Sequence, residues 1–363
     1  MDLEDACMPD QPTAARNYFL ACYAVSLIQG DTIQGITIRS RTVKHYIADA
    51  KVLFSTRNIP TKDLHSPDYL ETILQAHKAY ESVPNRRSMI TDTMMIWLHE
   101  AAQKEGEDSE LRAICDWLIL GRYTGFRKGE WCQSSQSTYE RIDNWPGRPP
   151  LAMILSDFQF LGKGEKRLNL HDIRHLSYEE LSKRIEHLEI QWRKQKNGDN
   201  GEKISYSRDR SNPKYCPVLA GIRIMLRALR AGLPAEEPIG VFRNRHNKRK
   251  FITDTLVTKH LRLAAMHALD IKKGDPALQL WSTHSVRVTA ANLLHRARFA
   301  DSFIQKRLRW KSTTFLMYLR NTIYSANEHA KALQISDSNL PPVVERTYRA
   351  VEPHEAITLA PAA

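Results

Sequence analysis

Tyr123-Thr-Gly-Phe-Arg127-Lys-Gly-Glu130-Trp131 is the stretch from which the architecture can be read in both directions. Upstream of it apolar residues recur at helical spacing; past Arg127 the hydrophobic period changes to that of short strands. Gly125 permits a sharp chain reversal, after which Arg127 projects from a fixed position. Glu130, three residues on, can hold that guanidinium or orient a neighbour through charge-assisted hydrogen bonds. Taken alone, the stretch reads equally well as a helix-ending glycine followed by a surface ion pair.

Working towards the N-terminus, helices are expected at about 108–124 and 91–105, then a break over Glu81–Ser88 that reads as a linker. Three amphipathic patterns precede it. Ala14–Ile28 sets Tyr18, Cys22, Val25 and Ile28 on one stripe with Phe19 beside it; Ser40–Ser55 carries Val43, Tyr46, Ile47, Val52 and Leu53; Asp68–Tyr80 carries Tyr69, Leu70, Ile73 and Leu74. Working towards the C-terminus, Leu151–Phe160, His187–Trp192 and Lys203–Tyr206 are strand-like runs bounded by Gly, Asn and Lys. Helical patterns return at about 217–231, 253–268, 284–297, 301–310 and 313–333. The expectation is a mainly α protein with one small antiparallel sheet. It comprises an acidic tail (1–10), a helical domain (11–83), a larger domain (88–340) and a C-terminal tail (341–363).

A chain of 363 residues suits two domains. No apolar run approaches the roughly 18 residues that span a bilayer, and the acidic first residues are unlike a secretory signal. An intracellular protein is expected. Five scattered cysteines without a C-x-x-C pair point to neither a disulfide framework nor a zinc site. The net charge of +12 is unevenly spread: residues 1–160 sum to −4, residues 161–363 to +16, and residues 241–320 alone to +13. A surface that neutralises phosphates needs such asymmetry, although a merely soluble basic protein has it too. Arg243-Asn-Arg-His-Asn-Lys-Arg-Lys250 is expected along a DNA backbone, with a solvated loop or a nuclear-import signal as the other readings.

Three further pieces supply chemistry. In Trp281-Ser-Thr-His284-Ser-Val-Arg287, Ser282 or Thr283 can cap a helix with His284 in its first turn and Arg287 one turn later. The positive end of that helix favours a neutral imidazole able to accept a proton. In Arg309-Trp310-Lys-Ser312-Thr-Thr-Phe315-Leu-Met-Tyr318, Ser312 can cap a helix on which Phe315, Leu316 and Leu319 face inward, and Tyr318 follows Phe315 by one turn. Arg193-Lys194-Gln-Lys196-Asn-Gly198 is a turn between strands whose lysine can reach a groove. Each piece alone is as readily a capped helix, a core tyrosine or a solvated turn.

Their order and spacing resemble the tyrosine recombinases, the family of the phage integrases and the Xer and Cre proteins. Thr124-Gly-Phe-Arg127-Lys-Gly-Glu130, Lys196, His284-Ser-Val-Arg287, Trp310 and Tyr318 follow one another as that family's motifs do, over about residues 90–330. Ser40-Arg-Thr-Val-Lys-His-Tyr-Ile resembles the family's helical core-binding domain more loosely, and the wording around Trp310 and Tyr318 is similar to recombinases of Crypton-type mobile elements. Trp310 and Tyr318 are eight positions apart, one fewer than in Cre-like members, and Gly162–Glu186 is longer than a compact sheet needs. Tyr324 is therefore the competing nucleophile and Lys194 the rival lysine.

The resemblance implies a core-binding domain followed by a catalytic domain, acting on double-stranded DNA as a homo-tetramer without ATP or metal. It implies Tyr318 as nucleophile, a 3′-phosphotyrosyl intermediate, and packing of each protomer's segment 323–345 on a neighbour. Arg127 and Arg287 would hold the phosphate with Trp310, His284 would take the tyrosine proton, and Lys196 would protonate the departing 5′ oxygen. A type IB topoisomerase-like relaxase and a non-catalytic DNA-binding protein are the rival readings. The sequence carries neither a G-x-x-x-x-G-K loop nor an H-E-x-x-H pair.

Overall fold

The computed structural model describes residues 12–31, 35, 37–57, 68–81, 86–132, 151–195, 198–312, 315, 316 and 319. The chain divides into two compact units, Met1–Asn85 and Arg86–Ala363. It is mainly α-helical, with a three-stranded and a two-stranded antiparallel sheet among the described residues.

The first unit contains α1 (Thr13–Gln29), α2 (Ser40–Thr56) and α3 (Asp68–Tyr80). Its core is Leu20, Ala24 and Leu27 of α1, Val43, Ile47 and Phe54 of α2, and Leu70 and Leu74 of α3. The stripe expected to be buried on α1 is the wrong one. Tyr18 and Cys22 are exposed, and the buried face contains Ala21 and Ala24, whose small side chains admit the neighbouring helices. Tyr46, Val52 and Leu53 of α2 likewise face outward.

The second unit is built round α5 (Glu110–Thr124), which is buried along nearly its whole length. Ser109 accepts the Arg112 N–H at 3.3 Å and starts it; Gly125, at φ 56°, ends it. Against α5 lie α4 (Asp92–Gln103), α9 (Pro217–Arg230) and α11 (Ser285–Arg296). The α5–α11 approach depends on Gly121, where an added Cβ would lie 2.6 Å from Val286 Cγ1.

Strands β1 (Phe158–Gly162), β2 (Ile185–Trp192) and β3 (Glu202–Ser207) form the larger sheet in the order β1-β2-β3. Register pairs Phe158 with Ile190, Ile190 with Ile204, and Leu188 with Tyr206, so these residues share the face buried against α9. The strand expected over Leu151–Phe160 begins only at Phe158. Asp157 bends Leu155–Asp157, just before that strand, into a 3-10 turn by accepting the Ile154 N–H at 2.9 Å, and it binds Arg193 Nε at 2.8 Å.

The long stretch between β1 and β2 holds two short helices, α7 (Leu170–His175) and α8 (Tyr178–Arg184), started by the Asn169 and Ser177 caps. The basic run 243–250 forms a hairpin of β4 (Val241–Arg243) and β5 (Arg249–Phe251). Within it Arg243 donates to the Asn247 and Arg230 carbonyls and Arg249 pairs with Glu237, leaving Arg245, Lys248 and Lys250 on the exposed part. α10 (Asp254–Ala268) follows, capped by Thr253, and α12 (Asp301–Arg307) comes after α11. α12 stops short of the expected residue 310 because Arg309 has a left-handed backbone, φ 58°. The helix expected over 313–333 lies mostly outside the described residues, as do both tails.

Candidate active site

The end of α5 sets the geometry of the site. Gly125 combines a left-handed φ with close surroundings: an added Cβ would lie 3.0 Å from Leu308 and 3.3 Å from Ala290. No side chain fits there without strain. The chain then turns through Phe126 and Arg127 into the single turn α6 (Lys128–Trp131). Glu130 folds back, accepting the Arg127 backbone N–H at 2.8 Å and the Arg127 Nη1 at 2.9 Å. The guanidinium of Arg127 is thereby fixed, with 23% of its side chain still open to solvent.

Arg287, on the first turn of α11, is buried and donates from Nη1 to the Gly125 carbonyl at 3.0 Å. Its guanidinium lies 4.4 Å from the ring centroid of Trp310, a cation–π contact. Trp310 in turn stacks on Phe315 at 5.5 Å, and that pair belongs to a small apolar cluster with Ala290, Ala291, Ile304 and Leu308. Trp310 thus forms the shelf on which Arg287 is held.

His284 occupies the N-cap position of α11, one step before the first helical residue, where a place inside the first turn was expected. Ser282 accepts its backbone N–H at 3.3 Å and the imidazole is exposed. Arg127, His284, Arg287 and Trp310 line one open cleft of about 390 Å³, joined by Phe126, Lys128 and Thr283. Tyr318, Tyr324 and Lys196 lie outside the described residues. Lys194 is exposed at the foot of the β2–β3 turn.

One residue of the site, quoted in the sequence reading beside Trp310, has no role there. Arg309, fully buried at its side chain, donates to Glu130 Oε2 at 2.9 Å and to the Thr124 carbonyl at 3.1 Å. Its guanidinium sits over the Trp192 ring of β2, and its own carbonyl accepts from Arg127 Nη2 at 3.4 Å. Burial holds Arg309 below the ordinary arginine pKa, and Glu130 opposes that shift without cancelling it. A left-handed backbone on a non-glycine residue costs roughly 1–2 kcal/mol. That strain is retained where Arg309 binds the T-G-x-R segment, the sheet and the segment leading to Tyr318 together. The sheet is tied to the same segment twice more, by Arg307 Nη2 to the Ser205 carbonyl at 3.0 Å and by Lys311 to Asp199 at 2.8 Å.

The arrangement presents two fixed guanidiniums and an exposed imidazole to a solvent-open cleft. It suits an oxyanion whose charge grows during reaction. Among the described residues no group of three or more His, Cys, Asp or Glu is gathered as a metal ion requires, and no helix is long and apolar enough to cross a membrane.

No protein-family model and no curated protein matches the sequence. Among solved structures the chain is similar to the Tn1549 transposon integrase (residues 82–397), in complex with circular intermediate DNA. The TM-score is 0.41 and the identity 10%, over 87% of this chain and 84% of that one. It is also similar to lambda integrase (residues 75–356), as a dimer bound to a COC′ core site. There the TM-score is 0.36 and the identity 18%, over 86% of this chain and 89% of that one.

Proposed function

We propose that the protein is a tyrosine recombinase, an enzyme that cleaves and rejoins strands of double-stranded DNA through Tyr318. What supports the reading most is one observation: Arg127, His284, Arg287 and Trp310, drawn from three separated segments, line a single cleft.

In the proposed reaction Arg127 and Arg287 grip the non-bridging oxygens of one phosphodiester. Their field lowers the pKa of the Tyr318 phenol from its usual value of about 10. His284 takes the phenolic proton as the oxygen attacks phosphorus. The bond to the 5′ oxygen breaks, and Lys196 supplies the proton that makes it a hydroxyl. The phosphate is left joined to Tyr318 at the 3′ end of the cut strand. Attack by a 5′ hydroxyl of another strand reverses these steps and restores the phenol. The energy of the broken bond stays in the phosphotyrosyl ester, so neither ATP nor metal is required.

The helical unit of residues 11–83 is proposed as a second DNA-binding domain beside the catalytic domain of residues 88–340. The exposed cations Arg245, Lys248 and Lys250 of the β4–β5 hairpin suit a phosphate backbone. Two cleavage sites brought together need four protomers, so a homo-tetramer on DNA is part of the proposal.

A nicked suicide duplex tests it. Wild-type protein is expected to become covalently attached to the 3′ end of the cleaved strand, and Tyr318→Phe to form no adduct. Absence of an adduct with the wild type sinks the enzyme reading and leaves a DNA-binding protein. An adduct that persists in Tyr318→Phe moves the nucleophile to Tyr324. Rejoining on two-site but not one-site substrates separates a recombinase from a relaxase.

A further inference from the structure

A second cationic cluster lies along α5 on the N-terminal side of the Gly125 turn and is absent from the mechanism above. It lines a cavity of about 290 Å³ between α4, α5, α8 and α9. At its base Asp116 of α5 is buried between two arginines of α9. Its Oδ1 accepts from Arg223 Nε at 2.6 Å and its Oδ2 from Arg227 Nη2 at 2.7 Å. One carboxylate thus answers two buried or half-buried guanidiniums. Arg112 and Lys214 add two further charges to the wall, and among the described residues neither has a carboxylate within 4.0 Å. Arg230, the remaining cation, is already held by Asp108 at 2.6 Å and Glu107 at 3.3 Å.

Buried and half-buried positive charge in excess of carboxylate is costly unless an anion answers it. The donors here are of the right kind. Each guanidinium carries five N–H groups. Arg223 uses one on Asp116 and another on the Tyr178 hydroxyl, and Arg112 makes a single long bond to the Ala102 carbonyl. His99 faces the same space. Desolvation, and after it Lys214, Arg112 and Arg223, bring its pKa down to about 4. A neutral imidazole there can share a hydrogen bond with an oxyanion, and the nearby cations add to the depression that burial begins. The volume lies at the small end of ligand pockets, which run from about 300 to 1,000 Å³.

We propose that this cavity is a binding site for a small oxyanion of the phosphate class, held by Arg112, Lys214, Arg223 and Arg227 with His99. Free orthophosphate and the phosphate group of a small ester present the same chemistry. The site is independent of DNA cleavage, since none of its residues lines the cleft of Arg127.

The test uses the full chain with His99 as a local reporter. The His99 imidazole C–H signal, assigned with His99→Gln, is titrated with acid at constant ionic strength in chloride and then in orthophosphate. The expected result is a rise of its pKa by at least about one unit in phosphate, absent in an Arg112→Ala/Lys214→Ala variant whose circular dichroism is unchanged. Calorimetry at pH 7 in the Arg127→Ala background removes the cleft as a competing site. There orthophosphate or glycerol phosphate should bind, with affinity at least about tenfold weaker once Arg112 and Lys214 are gone. Tighter binding of the ester than of orthophosphate identifies an esterified ligand, and the reverse identifies the free ion. A His99 response equal in chloride and phosphate overturns the proposal. So does an undiminished response in the double variant, or displacement of phosphate by a short DNA duplex, which would make the cavity part of the DNA surface. Loss of DNA cleavage in Arg127→Ala with an intact His99 response leaves the two readings separately judged.

Discussion

Two buried carboxylates each gather a pair of arginines near the same helix, and they arrive at opposite electrostatic outcomes. Asp116, on α5, binds Arg223 and Arg227 side by side on α9. Burial alone would lower Arg223, yet Asp116 and Tyr178 more than offset it and its pKa ends above the ordinary value. Glu130, on α6, binds Arg127 and Arg309, which come from segments 182 residues apart. Here burial wins and Arg309 ends below the ordinary value. The first pair joins two helices of the core. The second holds one guanidinium in the interior so that another, Arg127, stays fixed at the wall of a solvent-open cleft. A charge kept at a net electrostatic cost is more readily explained by the proposed reaction than by stability.

Removing the first carboxylate should have the largest effect. Asp116→Ala leaves Arg227, with 3% of its side chain exposed, and Arg223, with 19%, without a carboxylate. Breaking a buried pair in this way costs about 3–5 kcal/mol, which chemical denaturation followed by tryptophan fluorescence would read. A loss under about 1 kcal/mol would mean that water or another group reaches the cavity and replaces Asp116, and the contrast between the two clusters would fail.

Glu130→Gln should divide its effect the other way. The amide keeps one acceptor for Arg309 or Arg127, so stability is expected to fall by less than in Asp116→Ala, about 2 kcal/mol. Loss of the charge loosens Arg127 and Arg309 together. Formation of the covalent DNA adduct should therefore slow about a hundredfold, equivalent to about 3 kcal/mol. Single-turnover cleavage at saturating DNA measures it. An undiminished rate would show that the Gly125 turn alone aims Arg127.

This division was only half legible in the amino-acid sequence. Helical periodicity and the Gly125 reversal were enough to place α5 and the Arg127–Glu130 pairing, because both are local. The H-x-x-R spacing put Arg287 on the first turn of α11, where it lies, but set His284 one position too deep, since Ser282 receives its N–H outside the helix. Arg309 stood beside Trp310 in plain view. Nothing local marks a buried arginine, and its partners Glu130, Thr124 and Trp192 are more than a hundred residues away. Asp116 was hidden for the same reason. On α1 the error had a different origin: two alanines make the buried face look less apolar than the exposed one carrying Tyr18. Shape complementarity chose that face, and a hydrophobicity pattern does not encode it.

The smallest effect is expected at Tyr206, and it sharpens the second cluster by showing what that cluster does not use. Tyr206 lies on β3 opposite Leu188, its ring under the Arg307 guanidinium at 4.9 Å, and its hydroxyl has no hydrogen-bond partner among the described residues. Burial pushes its pKa up to about 12, although Arg309 and Arg307 pull the other way. Near neutral pH the phenol therefore stays protonated, and Arg309 and Arg307, which are not the pair proposed to activate Tyr318, do not make Tyr206 a nucleophile. Removing an unsatisfied buried hydroxyl is neutral or slightly stabilising. Tyr206→Phe is expected to shift stability by less than about 1 kcal/mol and to form the DNA adduct at the wild-type rate. Loss of the adduct in this variant, with the fold intact, would mean that Tyr206 takes part in the chemistry, and the assignment of the arginine field to Tyr318 would have to be abandoned.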